Sequence, residues 1–226
     1  LYQFRFMPFG IKTAPAVFAK LMRKVAEGIP GVDHYYDDVL VATETWEELL
    51  RPLGLLFERI RRAGLTVRPS KCELGVEEID FLGHRVGRGR LQPLGKTLDK
   101  IEAAPRPSTK RQVRAFLGLT GYYREFIPNY AEVSAPLTDL TRKGEANSVK
   151  WTAAHEEAFR SLKQHVSTEP ILRLPDLHQP FVLRTDASDT SLGAVLMQAH
   201  EGKLHPTAYA SRKLLPREAS YSTIER

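Results

Sequence analysis

The stretch HYYDDVLVAT, residues 34–43, constrains this chain more than any other. It sets two carboxylates, Asp37 and Asp38, side by side between a pair of tyrosines and a β-branched run. Like charges in apolar company are costly, so the chain must place them where it turns or where a cation can reach them. The flanks alternate as strands do, with VDHYY leading in and VLVAT leading out. The pair is therefore expected at or beside the tip of a β-hairpin. Aspartates favour turns for conformational reasons alone. They are also hard oxygen ligands that a divalent cation would bridge. Both readings stand at this point.

Helices are expected on either side. TAPAVFAKLMRKVAEG has Thr13 to cap it, Pro15 in its first turn and Gly28 to end it. Ala14, Phe18, Leu21, Met22 and Val25 fall on one face. A second helix opens at Thr45, where T-W-E-E has the form of a capping box with Glu48 reaching back. Leu49, Leu53, Leu56, Phe57 and Ile60 make its buried face, Gly64 closes it, and Pro52 predicts a kink or a later start. IDFLGHRVGRGRLQP reads as another hairpin with Gly87 and Gly89 in the turn.

Pro105 and Pro107 mark a linker into STKRQVRAFLGLTGYYREFI, a helix opened by Thr109 and Gln112 as a second capping box. Lys110, Arg111 and Arg114 occupy its first turns, where the helix dipole disfavours cations, so something negative outside the protein is expected to meet them. Tyr122 and Tyr123 read as packing residues. WTAAHEEAFRSLKQHVS sets Ala158, Phe159, Leu162 and Val166 on one side of a further helix. PFVLRTDASDTSLGAVLMQ and LHPTAYASRKL read as three short strands, and the last residues begin a helix. In the first of those strands Phe181, Leu183 and Thr185 share one face and Asp186 the other, while Ser188 and Asp189 form a turn.

Charge points to a polyanionic partner. The net charge is +6 and the pI near 9.4. From Arg59 to Arg114 there are 14 Lys and Arg against 6 Asp and Glu, and the excess follows the helix pattern, so it forms a folded basic face. Contacts of that kind to phosphates supply affinity without sequence specificity. The single cysteine, Cys72, excludes a disulfide framework and suits a reducing compartment. No apolar run is long enough to cross a bilayer and no signal peptide is visible. The chain is expected to be an intracellular piece of something longer, with no membrane partner.

The motifs FRFMPFGIKTAPAVFAKLM, YYDDVLV, GLTVRPSKC and FLGHRV resemble, in order and spacing, the palm motifs of reverse transcriptases. FLGLTGYYREFIPNYAEVSAPLTDLTRKG, WTAAHEEAFRSLK and TDASDTSLGAVLMQ extend the resemblance through a thumb into a ribonuclease H domain. The whole is similar to the middle of a Pol polyprotein of gypsy-class LTR retrotransposons. The resemblance implies an α+β fold: the C-terminal part of a reverse transcriptase palm over 1–92, helical thumb or connection over 93–148, and the N-terminal part of an α/β ribonuclease H-like fold over 149–226. It implies an RNA-directed DNA polymerase with an attached ribonuclease H.

By the same resemblance Asp37 and Asp38 hold catalytic Mg²⁺, with Mn²⁺ as a substitute, for two-metal nucleotidyl transfer. Lys71 would protonate or neutralise the departing pyrophosphate. Phe9, Gly10, Tyr35 and Tyr36 would line the nucleotide and template pocket, with Gly10 letting the backbone approach a ligand. Relatives from retroviruses usually carry Gln where Phe9 stands. Phe81, Leu82 and Gly83 resemble the primer grip, and Lys110, Arg111 and Arg114 would contact the duplex backbone. Asp186 resembles the first ribonuclease H carboxylate, a metal ligand for cleaving RNA in a hybrid. Glu218 and Glu225 tempt as its partner, but the family pattern puts that glutamate just beyond Arg226. The implied partners are RNA template, DNA primer and product, RNA–DNA hybrid, dNTPs and the rest of a Pol polyprotein, in cytoplasmic virus-like particles or the nucleus.

The first palm aspartate, the fingers and the ribonucleotide gate of the family belong upstream of Leu1. These 226 residues alone are therefore expected to polymerise nothing and cleave little. The competing reading is a degenerate or co-opted retroelement piece that binds nucleic acid or protein without chemistry. An RNA-dependent RNA polymerase also uses a paired-Asp hairpin, but lacks a TDAS…GAVLMQ segment at this distance.

Overall fold

Pro15 inside the first turn and a left-handed Gly28 just past the end bound the helix α1 (Ala14–Ala26), as its sequence requires. The computed structural model describes residues 4, 7–8, 10–168 and 171–221, and the chain forms two units, Leu1–Phe81 and Leu82–Arg226. Both α-helix and β-sheet are present, the mixed class anticipated. Phe9 and Glu225 lie outside the described residues.

In the first unit, β1 (Val32–Tyr35) and β2 (Asp38–Val41) pair antiparallel from Val32↔Val41 to Tyr35↔Asp38. Partners in such a ladder share a face. Val32 and Val41, with Val39, pack onto Val25 of α1 and Ile29 just beyond it, and onto Leu56 and Ile60 of the next helix. That helix, α2 (Trp46–Arg62), starts on Thr45, whose side chain accepts from the Glu48 N–H at 3.3 Å. The Glu48 carboxylate reaches the Glu44 N–H and not that of Thr45, so only half of the expected capping box forms. The helix also runs through Pro52 without a later start. Pro52, Leu56 and Ile60 are buried and lie four residues apart, a narrow stripe that leaves Phe57 40 % exposed and not part of the buried face as anticipated. Burial of the proline ring on that stripe offsets the hydrogen bond it removes. Arg59 donates to the carbonyls of Val25 and Glu27, satisfying the end of α1. The unit closes with a single 3₁₀ turn at Pro69–Lys71 and strand β3 (Glu78–Phe81).

The second unit opens with the predicted hairpin, β4 (His84–Gly87) and β5 (Arg90–Pro93). Arg88 and Gly89 in its two-residue turn both take positive φ, 48° and 69°, as a twist-matched hairpin turn demands. β6 (Leu172–Arg173) extends this sheet beside β5. Five helices follow β5: α3 (Gly95–Glu102), α4 (Lys110–Tyr122), α5 (Tyr130–Val133), α6 (Ala135–Asp139) and α7 (Ala153–Ser167). The Thr109–Gln112 capping box on α4 forms in both directions, at 3.3 and 3.1 Å. On α7 the four residues that bury are Ala158, Phe159, Leu162 and Val166, as the spacing predicts. Their cluster takes in Ile101, Val113, Phe116 and Leu137.

The last segment is an antiparallel meander, β7 (Phe181–Ala187), β8 (Ser191–His200) and β9 (Lys203–Lys213). At 7, 10 and 11 residues these strands are not the short ones expected. Every residue of β7 is exposed, so its alternation does not separate a buried face from a wet one.

Candidate active site

Geometry at the paired acids follows from the register. Because Tyr35 pairs with Asp38, the turn consists of Tyr36 and Asp37 alone: Asp37 is at the tip and Asp38 is the first residue of β2. Tyr36 takes φ 54°, a left-handed backbone that a bulky residue rarely adopts. Strain of that kind persists where the surroundings over-determine it, often at functional sites. Tyr35 and Tyr36 meet edge to face with ring centroids 4.9 Å apart. Both rings and both carboxylates are exposed. His34 and Val39 lie on the opposite, core-facing side, and the His34 Nδ1 is buried without a hydrogen-bond partner.

The other anticipated residues divide into open and engaged positions. Gly10 has φ +83°, and no described atom stands within 4 Å of where a Cβ would be, so backbone there is open to an incoming group. Lys71 is exposed at the end of its 3₁₀ turn. Phe81 ends β3, and Leu82 and Gly83 follow as a half-buried turn. Lys110 and Arg114 are engaged within the protein: Lys110 Nζ donates to the carbonyls of Arg142 and Glu145, and Arg114 to that of Thr141 at 3.0 Å. The negative partner expected outside is thus partly supplied inside, by carbonyl dipoles beyond α6. Arg111 is exposed.

Asp186 is exposed on β7, and its Oδ1 accepts from the Ala187 N–H at 3.0 Å. It pairs with Gly193, which pairs in turn with Ser211. A Cβ on Gly193 would stand 2.5 Å from the Asn129 Oδ1. The isolated glycine in a strand was the available signal for that close approach, and sequence reasoning passed over it. The Ser188 hydroxyl closes the following turn by bonds to Thr190 and Ser191, as expected. Glu218 has no free oxygen for a metal. Arg212 clamps it at 2.8 and 3.2 Å and the Leu215 N–H binds it at 2.8 Å, and the guanidinium holds its carboxyl below the usual carboxylate range.

Known proteins match this arrangement in sequence and in space. Residues 1–86 match the reverse transcriptase (RNA-dependent DNA polymerase) family, and residues 151–226 match the RNase H-like domain found in reverse transcriptase. The chain thus carries a reverse transcriptase domain match and an RNase H-like domain match. All of it aligns with the retrovirus-related Pol polyproteins of the Drosophila melanogaster transposons 297, at 38 % identity, and opus, at 36 %. It aligns at 30 % with the Tf2-3 transposon polyprotein of Schizosaccharomyces pombe. The chain spans 21 %, 24 % and 17 % of those relatives. Among solved structures, the foamy viral protease-reverse transcriptase in complex with dsDNA matches 97 % of this chain and 46 % of that one, with a TM-score of 0.83 at 29 % identity. The same enzyme in complex with an RNA/DNA hybrid matches 96 % of this chain and 30 % of that one, at a TM-score of 0.81 and 28 % identity.

The chain has one further feature that its motifs did not announce. The hydroxyls of Tyr122 and Tyr123 reach the carbonyls of Leu82 and Gly83, 40 residues earlier. Tyr123 is a packing residue, 1 % exposed, whereas Tyr122 is 52 % exposed. No helix among the described residues is long and apolar enough to cross a membrane.

Proposed function

We propose that this chain carries the polymerase carboxylates of an RNA-directed DNA polymerase and the first carboxylate of its ribonuclease H, within a retrotransposon Pol protein. The observation that carries the reading is the exposed Asp37–Asp38 pair where a two-residue turn, with a left-handed Tyr36, enters β2. The division into palm (1–92), thumb or connection (93–148) and ribonuclease H-like part (149–226) belongs to the same proposal.

Mg²⁺, or Mn²⁺ in its place, suits two adjacent exposed carboxylates, which are hard donors. Among the described residues no three His, Cys, Asp or Glu side chains gather to hold a metal, so triphosphate oxygens and further acids would complete the set. When bound, such ions supply positive charge at the attacking 3′ hydroxyl and the leaving pyrophosphate. Asp37 and Asp38 hold that charge in place. Lys71 offers a point charge to the pyrophosphate. Phe9, Gly10, Tyr35 and Tyr36 line the nucleotide and template, and Phe81, Leu82 and Gly83 hold the primer. Arg111 meets duplex phosphates directly, while Lys110 and Arg114 contribute mainly through their field, since carbonyls already occupy donors on each. Asp186 serves cleavage of the RNA strand in a hybrid. The foamy viral complexes with dsDNA and RNA/DNA hybrid support nucleic-acid partners of these kinds. The dNTP substrates, other Pol segments and an intracellular particle are part of the proposal.

Binding without catalysis is the second reading, favoured by the lack of a three-acid cluster among the described residues. For the same reason a polypeptide of residues 1–226 alone is expected to show negligible primer extension. Mg²⁺-dependent extension on an RNA template, by a polymerase-competent protein carrying these residues, separates the readings. Asp37→Asn is expected to lower it roughly a thousandfold, about 4 kcal/mol of lost charge stabilisation, with duplex affinity kept. Undiminished extension by that variant overturns the polymerase reading.

A further inference from the structure

The turn after β3 is held from outside its own hairpin. Leu82 and Gly83 both take positive φ, 47° and 75°. The Leu82 carbonyl accepts from the Tyr122 hydroxyl at 2.5 Å and lies 2.8 Å from the His84 Nδ1, which must carry the hydrogen to bond a carbonyl. The Gly83 carbonyl accepts from the Tyr123 hydroxyl at 2.8 Å and from the Leu94 N–H at 3.3 Å. A carbonyl oxygen has two lone pairs. Four donors therefore fill the accepting capacity of both carbonyls and fix the plane of each peptide.

Aromatic packing locks the donors. The His84 ring stacks on Tyr122, with centroids 5.4 Å apart, and on Phe126 at 5.6 Å, and meets the edge of Tyr123 at 5.5 Å. A Cβ on Gly83 would stand 3.1 Å from Tyr122 Cε1. Packing alone would be met by phenylalanine at either tyrosine. The two hydroxyls, aimed at adjacent carbonyls, add direction.

We propose that Tyr122, Tyr123 and His84 are positioning residues for primer extension: they set the peptides of the Leu82–Gly83 turn so that it holds the primer 3′ end in reacting geometry. This rests on the reading of that turn as part of the primer grip. Small misplacements of reacting groups lower rate far more than they lower affinity.

Tyr122→Phe, Tyr123→Phe and the double variant test this in a polymerase-competent protein carrying these residues. Extension kcat is expected to fall roughly tenfold for Tyr122→Phe and roughly a hundredfold for the pair. Duplex Kd and the KM for dNTP should stay within about twofold, because both hydroxyls are spent on the Leu82 and Gly83 carbonyls. Tyr122 is half exposed, so its variant keeps the fold even if Tyr123→Phe does not. A double variant with kcat within about twofold of the parent, measured beside an inactive Asp37→Asn control, overturns the proposal and leaves the polymerase reading standing. Parallel losses in Tm, duplex Kd and kcat also overturn it, since they report a merely structural role. An Asp37→Asn control that extends normally removes the polymerase reading and this inference together.

Discussion

Among the turns of this chain that force a residue other than glycine into left-handed backbone, those at Tyr36 (φ 54°) and Leu82 (φ 47°) are built in opposite ways. At the first, the rings of Tyr35 and Tyr36 are 54 % and 42 % exposed and both neighbouring carboxylates face solvent. At the second, the carbonyls of Leu82 and Gly83 are taken by Tyr122, Tyr123, His84 and Leu94. Two glycines in separate turns differ in the same sense: no described atom crowds a Cβ at Gly10, while Tyr122 covers Gly83. One turn leaves its polar groups for a partner from outside. The other uses its polar groups to hold a shape. Charge presentation and backbone positioning thus fall to separate turns.

Loss of Asp37 carries the largest expected effect, on rate, because it removes charge that nothing else at the tip replaces. Next comes Gly83→Ala, which should act on stability. A methyl group there meets Tyr122 at 3.1 Å on a backbone at φ +75°, for a cost of about 1–2 kcal/mol or a few degrees in Tm. Gly10→Ala shares the backbone penalty but meets no described atom, so its thermal unfolding should shift less. Equal shifts in the two variants would mean that the Tyr122 contact adds nothing to the cost of left-handed backbone at Gly83.

Tyr36→Gly sharpens the contrast between the two turns. Relief of the left-handed tyrosine is worth about 1–2 kcal/mol, and the added freedom of glycine in the unfolded chain returns about 0.5–1 kcal/mol of that. A net gain of about 0.5–1 kcal/mol in folding stability should accompany a fall in primer extension, the trade found where strain serves a site. If thermal unfolding and extension both improve, the strain at Tyr36 has no role in the reaction.

Local signals were legible in the sequence, and long-range ones were not. The Thr109–Gln112 capping box, the buried face of α7 and the 32–41 hairpin follow from spacing within one or two turns of chain, and each formed as read. Phe57 was misplaced because helical spacing gives the direction of the apolar stripe but not its width, which the packing of Pro52, Leu56 and Ile60 decides. Alternation in β7 could not say whether anything covers it, and all seven residues are exposed. The partners of Lys110 and Arg114 lie 27 to 35 residues further on, and those of Tyr122 and Tyr123 lie 40 residues back. No periodicity reports such contacts. The hairpin position of the paired acids was legible for the opposite reason: a turn between two adjacent alternating segments depends on local sequence alone.

Glu218 gives the smallest expected effect and tests the same distinction among acids. Its oxygens are occupied by Arg212 and by the Leu215 N–H, and the Arg212 guanidinium is the first cause of its lowered carboxyl pKa. A folded-state value below the ordinary 4.5 means that the folded chain binds the proton less readily than the unfolded chain. The stabilisation is therefore fully present above that ordinary value and is lost as pH falls through the folded one. Glu218→Gln keeps the shape and loses the charge, so it should melt slightly below the parent near neutral pH, and the gap should close as pH falls through the folded carboxyl's lowered value. A gap that stays constant across that range would mean the contact acts through shape alone, and an engaged acid in this chain would then differ from an open one in packing and not in charge.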